Sequence, residues 1–87
     1  MTFGPDPPAK RSVTIGGHET SITLEPLFWE ALKVAARERS LPINALVAQI
    51  DLTRFDATGA ARCGLASAIR QWLMIEGPIA ESAPAAD

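Results

Sequence analysis

The 87-residue chain has one cysteine, Cys63, and one histidine, His18. A single thiol excludes an internal disulfide, and with one histidine it supplies no multi-ligand zinc set. The chain has no Gly-rich phosphate loop, no Ser-x-x-Lys and no His-Glu-x-x-His arrangement. Catalysis therefore has nothing to be built from, and the expectation is a protein that is not an enzyme and carries no cofactor or metal. Apolar runs are short, far below the roughly 18 residues a membrane span requires. The opening MTFGPDPPAKR lacks the charged-then-apolar order of a secretory leader, so the expected location is cytoplasmic. A basic surplus is missing too: eight Lys and Arg face ten Asp and Glu, for a net charge of −2. Strong nonspecific nucleic-acid binding usually shows as a basic excess. The acid is concentrated at the end, with Glu76, Glu81 and Asp87, so residues 1–75 carry eight bases against seven acids.

What is present is a core in search of cover. Apolar residues make up 47% of the chain, too many for a disordered polymer. Residues 1–9, rich in proline and without periodicity, read as a disordered arm, and residues 77–87 read as a disordered tail. Residues 10–76 form the expected domain. Within it, residues 12–15 alternate polar and apolar, with Val13 and Ile15 on one face. The run Gly16-Gly17-His18-Glu19 is a turn signal, because paired glycines accept positive φ without strain. Residues 20–24 alternate again, placing Ile22 and Leu24 inward and Ser21 and Thr23 outward. The spacing permits a hairpin whose second strand feeds directly into a helix.

Pro26 suits a first helical position, where its missing N–H costs nothing. From there Phe28, Ala31, Leu32, Ala35 and Ala36 follow helical spacing, with Trp29 and Val34 off the stripe. So wide an apolar face suits a helix buried between two chains. Ser40-Leu41-Pro42 breaks the pattern. A second helix sets Ile43, Leu46, Val47 and Ile50 on one face and stops around Arg54, with Asp51 and Arg54 spaced as an i,i+3 ion pair. A loop over 56–64 leads to a third helix carrying Leu65, Ala68, Ile69, Trp72 and Leu73, which stops at Gly77-Pro78.

Individual side chains admit two readings. His18, beside two glycines, is an ordinary solvated turn residue or a contact to DNA or a ligand. Cys63 reads as a small apolar residue flanking a helix rather than a nucleophile. Trp29 and Trp72 read as core or interface rather than as base-stacking platforms. Ser21 and Thr23 are either ordinary hydroxyls on a wet strand or, paired across a two-fold axis, donors and acceptors able to meet base edges.

Residues 20–50 resemble the ribbon-helix-helix superfamily of dimeric bacterial repressors, the group containing Arc and MetJ. The segments RSVTIGGHETSITLEPLFWEAL, LPINALVAQID and LASAIR look like a largely uncharacterised family of small bacterial ribbon-helix-helix proteins, over about residues 10–75. The resemblance implies a mainly α fold with a short β-ribbon, a third C-terminal helix and an intertwined dimer. It implies that alternate ribbon residues, Glu19, Ser21 and Thr23, enter the major groove of double-stranded DNA. Backbone amides opening the second helix, at Ile43 and Asn44, would hold a phosphate, and Lys10 and Arg11 just ahead of the ribbon would touch others. The dimer core would comprise Ile22, Leu24, Phe28, Leu32, Leu46 and Ile50. The chain departs from the superfamily in placing Pro42 where a hydroxyl cap is common, and in having no basic side chain on the ribbon itself. The expected partners are a second copy and DNA. The alternative is a dimeric module of the same fold that binds another protein and not DNA.

Overall fold

The computed structural model describes residues 6–77, so most of the arm and all but Gly77 of the tail expected above lie outside the described residues. Two strands and three helices follow in order: β1 (Ala9–Ile15), β2 (His18–Leu24), α1 (Pro26–Glu38), α2 (Ile43–Thr53) and α3 (Leu65–Ile75). The strands form an antiparallel hairpin with Ile15 opposite His18 and Ala9 opposite Leu24. The turn is confined to Gly16 and Gly17, at φ of 56° and 83°. Both positive angles suit the two-residue turn whose twist matches a hairpin, and only glycine takes them cheaply. His18 and Glu19, read above as part of the turn, belong to β2. The short loop lets pairing begin at once, which lengthens both strands.

Register settles the faces. Cross-strand partners share a face, so Ala9, Arg11, Val13 and Ile15 lie with His18, Thr20, Ile22 and Leu24. Val13, Ile22 and Leu24 from this side are buried against the helices. The helices contribute Trp29, Leu32, Ala35, Ala36, Leu46, Val47, Ile50, Ala68, Ile69 and Leu73 to the same core. Each fully buried aliphatic of this size contributes about 1.5–3 kcal/mol relative to exposure.

The α1 stripe is turned from the one expected. Trp29 is 2% exposed while Phe28 is only half-buried. The indole Nε1 donates to the Ala9 carbonyl oxygen at 2.9 Å, so the ring faces the hairpin with its one polar atom satisfied. α1 ends in a left-handed residue, Ser40 at φ 53°, with Leu41 N–H donating to the Ala36 oxygen at 2.9 Å and Ser40 N–H to the Arg37 oxygen at 3.0 Å. This pair of hydrogen bonds closes the helix and aims Leu41 into the core's edge.

Long-range polar contacts fix α3. Arg70 donates from Nε and Nη2 to the two carboxylate oxygens of Glu25, at 2.9 and 3.2 Å, tying α3 to the residue that joins β2 to α1. Arg39 lies over the Trp72 ring at 4.7 Å and donates to the Glu76 oxygen, joining the ends of α1 and α3. The Asp51–Arg54 pair forms at 2.6 Å, and Arg54 also donates to the Cys63 oxygen. The loop between α2 and α3 is held by Asp56, whose carboxylate accepts from Thr58 and from the Ala60 amide.

One chain therefore closes its own core. Ile22, Leu24, Leu32, Leu46 and Ile50, expected to be shared between two chains, are buried within a single one, and Phe28 is half-buried. The physical reason is the extra cover: β1 and α3 shield surface that a bare strand-helix-helix unit leaves open.

Candidate nucleic-acid interface

The hairpin's outward face is built by alternation alone. Lys10, Ser12 and Thr14 from β1 stand opposite Thr23, Ser21 and Glu19 from β2, and all six are exposed. Four hydroxyls, one ammonium and one carboxylate thus share one two-stranded surface, with the apolar core directly behind it. Hydroxyls donate and accept, which is the chemistry needed to meet base edges or phosphate oxygens. The formal charge of this face is zero, since Lys10 and Glu19 cancel. Among the described residues Lys10 has no carboxylate partner.

Of the ribbon residues expected at a DNA contact, Glu19, Ser21, Thr23 and Lys10 come together on this face. Arg11 does not. It lies on the core side, with its guanidinium 5.3 Å from the centre of the Trp29 ring. Lys10 and Arg11 are neighbours in sequence, but strand alternation sends them to opposite sides. Ser12 and Thr14 were not assigned from sequence to the contact surface. Their signal was present: a two-residue Gly-Gly turn sets the register that places them opposite Ser21 and Glu19.

The start of α2 sits at the flank of the same hairpin. Asn44 Oδ1 accepts the Thr14 N–H at 3.3 Å, so the side chain caps the outer edge of β1. Pro42 occupies the cap position without a side-chain bond, and its oxygen accepts from Ala45 and Leu46. The backbone N–H groups of Ile43 and Asn44 precede that ladder and lie at the positive end of the helix. Amides at such an end suit an anion.

The other edge of the hairpin is open. In a hairpin with a two-residue turn, the flanking residues exchange hydrogen bonds and alternate pairs do likewise. Thr20, Ile22 and Leu24 therefore turn their backbone groups toward β1, while Glu19, Ser21 and Thr23 turn theirs away. No described residue supplies a hydrogen bond to that outer row. No described helix is long and apolar enough to cross a membrane, and no described cluster of three or more His, Cys, Asp or Glu could hold a metal.

A model of one family of domains, described as ribbon-helix-helix domain, matches residues 8–76. No curated protein matches the chain, and no solved structure does.

Proposed function

The chain belongs to the ribbon-helix-helix domain family, whose members typically dimerise and bind DNA as non-enzymatic regulators, and we propose that it is a homodimeric, cytoplasmic transcriptional regulator. Its hairpin lays the outward face in the DNA major groove, which admits a two-stranded β-ribbon. The observation that carries this reading is the six-residue polar face of Lys10, Ser12, Thr14, Glu19, Ser21 and Thr23, exposed on a ribbon whose back is the core. Ser21 and Thr23 meet base edges, Lys10 meets phosphate, and the Ile43 and Asn44 amides hold a phosphate beside the groove. Dimerisation uses the open edge of β2, antiparallel across a two-fold axis. Ile22 and Leu24 stand behind that edge, and the rest of the expected dimer core supports it from within each chain.

One observation favours a second reading, a dimeric module that binds a protein instead: the zero charge of the outward face. The two readings separate in a salt titration of binding to random duplex DNA. Binding that weakens linearly in log salt reports phosphate neutralisation and supports the regulator. Absence of binding at 50 mM salt, about the low end of such titrations, supports the protein-binding module.

A further inference from the structure

The C-terminal end of α2, the last residues of the loop after it and one side of α3 enclose a half-open cleft of about 400 Å³. That volume falls among cavities that hold small organic molecules, about 300–1,000 Å³. Two kinds of lining meet in it. Trp72, Ala68 and Ile75 give the α3 side an apolar wall, with Trp72 half-buried and Ile75 left 70% exposed. Arg54 and Arg62 bring guanidinium groups from the end of α2 and from the loop. Apolar walls with a few convergent polar groups are the usual make-up of a small-molecule site.

The charges around this cleft do not cancel. Arg54 is committed to Asp51, at 2.6 Å, and to the Cys63 oxygen. Arg39, over the Trp72 ring at 4.7 Å, adds a third guanidinium at the edge of the apolar wall. Arg39, Arg54 and Arg62 thus stand against two carboxylates, Asp51 and Glu76, for a surplus of one positive charge. Among the described residues neither Arg62 nor Glu76 has an ion-pair partner. The C-terminal end of a helix is negative and would oppose an anion. Here three of the carbonyls at that end are occupied. The Ile50 oxygen accepts from Thr53 Oγ1, the Asp51 oxygen from the Arg54 amide and the Arg54 oxygen from the Arg62 amide.

From this juxtaposition we infer a binding site for a small organic acid: a monovalent carboxylate held by Arg62, with a flat apolar body against Trp72, Ala68 and Ile75. The planar fork of a guanidinium meets both oxygens of a carboxylate, and an indole favours a flat, offset neighbour. An exposed ion pair is worth little by itself, so burial of the body supplies most of the affinity and the carboxylate sets the preference. No residue of the cleft belongs to the hairpin, so this assignment stands or falls apart from the DNA-binding reading.

Titrating the isotope-labelled full chain tests it, followed through amide resonances and the Trp72 indole N–H. The probes are naphthoate, with charge and body, naphthamide, with the body alone, and acetate, with the charge alone. Naphthoate should shift Arg62, Cys63, Gln71 and Trp72 together and to saturation. Naphthamide should bind at the same place about tenfold more weakly, as expected for losing a charge-assisted hydrogen bond. Acetate should give no saturating shift. Arg62 is exposed, so Arg62→Gln keeps the fold; it should lower the affinity for naphthoate to that for naphthamide and leave naphthamide unchanged. Arg37→Gln, on α1 and outside the cleft, should alter neither. Absence of a saturating naphthoate shift at these residues overturns the site. Equal affinity for naphthoate and naphthamide, or an Arg62→Gln chain that still prefers naphthoate, overturns the assignment of the carboxylate to Arg62 and the ligand class with it.

Discussion

Ile22 and Thr23 are adjacent on β2 and should respond oppositely to the same truncation. Ile22 is 3% exposed and packs with Val13, Leu24 and the helices, whereas Thr23 lies on the outward face. Ile22→Ala removes three carbons from the core, about 2.4 kcal/mol at 0.8 kcal/mol for each. The cavity left behind raises the cost toward roughly 5 kcal/mol. A chain of 87 residues has a total stability of about 4–13 kcal/mol at 0.05–0.15 kcal/mol per residue, so the loss is a large share of it. The melting temperature should fall by roughly 10 °C or more, at about 4 °C or more per kcal/mol for a domain of this size. Thr23→Ala removes a solvated hydroxyl and should change stability by no more than about 0.5 kcal/mol. Melting followed by far-ultraviolet circular dichroism at matched protein concentration measures both. If Thr23→Ala melts lower than Ile22→Ala, the strand faces are assigned the wrong way round, and the outward surface with them.

Three further outcomes follow from individual contacts. Arg11→Ala should cost about 0.5–1 kcal/mol through the lost Trp29 stacking and leave the salt slope of DNA binding unchanged; a slope that drops as for Lys10→Ala would place Arg11 at the phosphates. Ser40→Gly should raise stability by about 0.5–1 kcal/mol in thermal melts, because glycine takes the left-handed angle that closes α1 without a Cβ penalty; a loss would show that the serine side chain is needed there. The Arg70 hydrogen bond, followed by that of its own backbone amide, holds the Glu25 carboxyl below the usual carboxylate range. The folded chain then binds fewer protons than the unfolded one, so this stabilisation is present above the ordinary carboxylate pKa of about 4.3 and is lost as pH falls through the lower folded value. Glu25→Gln should flatten the decline of melting temperature in that acidic window, and an unchanged decline would assign it to other groups, Asp56 among them.

Local signals carried much of the fold. Period-two alternation and the Gly-Gly turn place the middles of both strands but not their ends, since β1 begins at Ala9, expected in the arm, and β2 at His18. The three helices follow from their apolar spacing and from Pro26, Pro42 and Gly77 at their boundaries. The Asp51–Arg54 pair is legible for the same reason, being set by helix geometry alone. Contacts between distant residues were not legible. Glu25 and Arg70 are 45 residues apart, and nothing near either announces the other. The rotation of α1 that buries Trp29 over Phe28 depends on where the Ala9 oxygen lies, which helical spacing cannot reveal. Burial patterns do not distinguish a neighbour in the same chain from one in a partner. Leu32, Leu46 and Ile50, expected at a dimer core, are buried within a single chain, and their burial alone carries no sign of which chain covers them. The position of Asn44 at the start of α2 is legible from the sequence, whereas the cap its side chain places on β1, thirty residues away, is not.

The most direct test of the central claim, that the outward face of the hairpin is the DNA-binding surface, is a titration of the isotope-labelled protein with a short duplex, followed residue by residue through amide resonances. Lys10, Ser12, Thr14, Glu19, Ser21, Thr23 and the opening amides of α2 should shift together. Amides of the exposed α1 side around Leu27 and Val34, and of Met74 and Ile75 on α3, should stay in place. Shifts confined to those helices, with the ribbon undisturbed, would contradict the account.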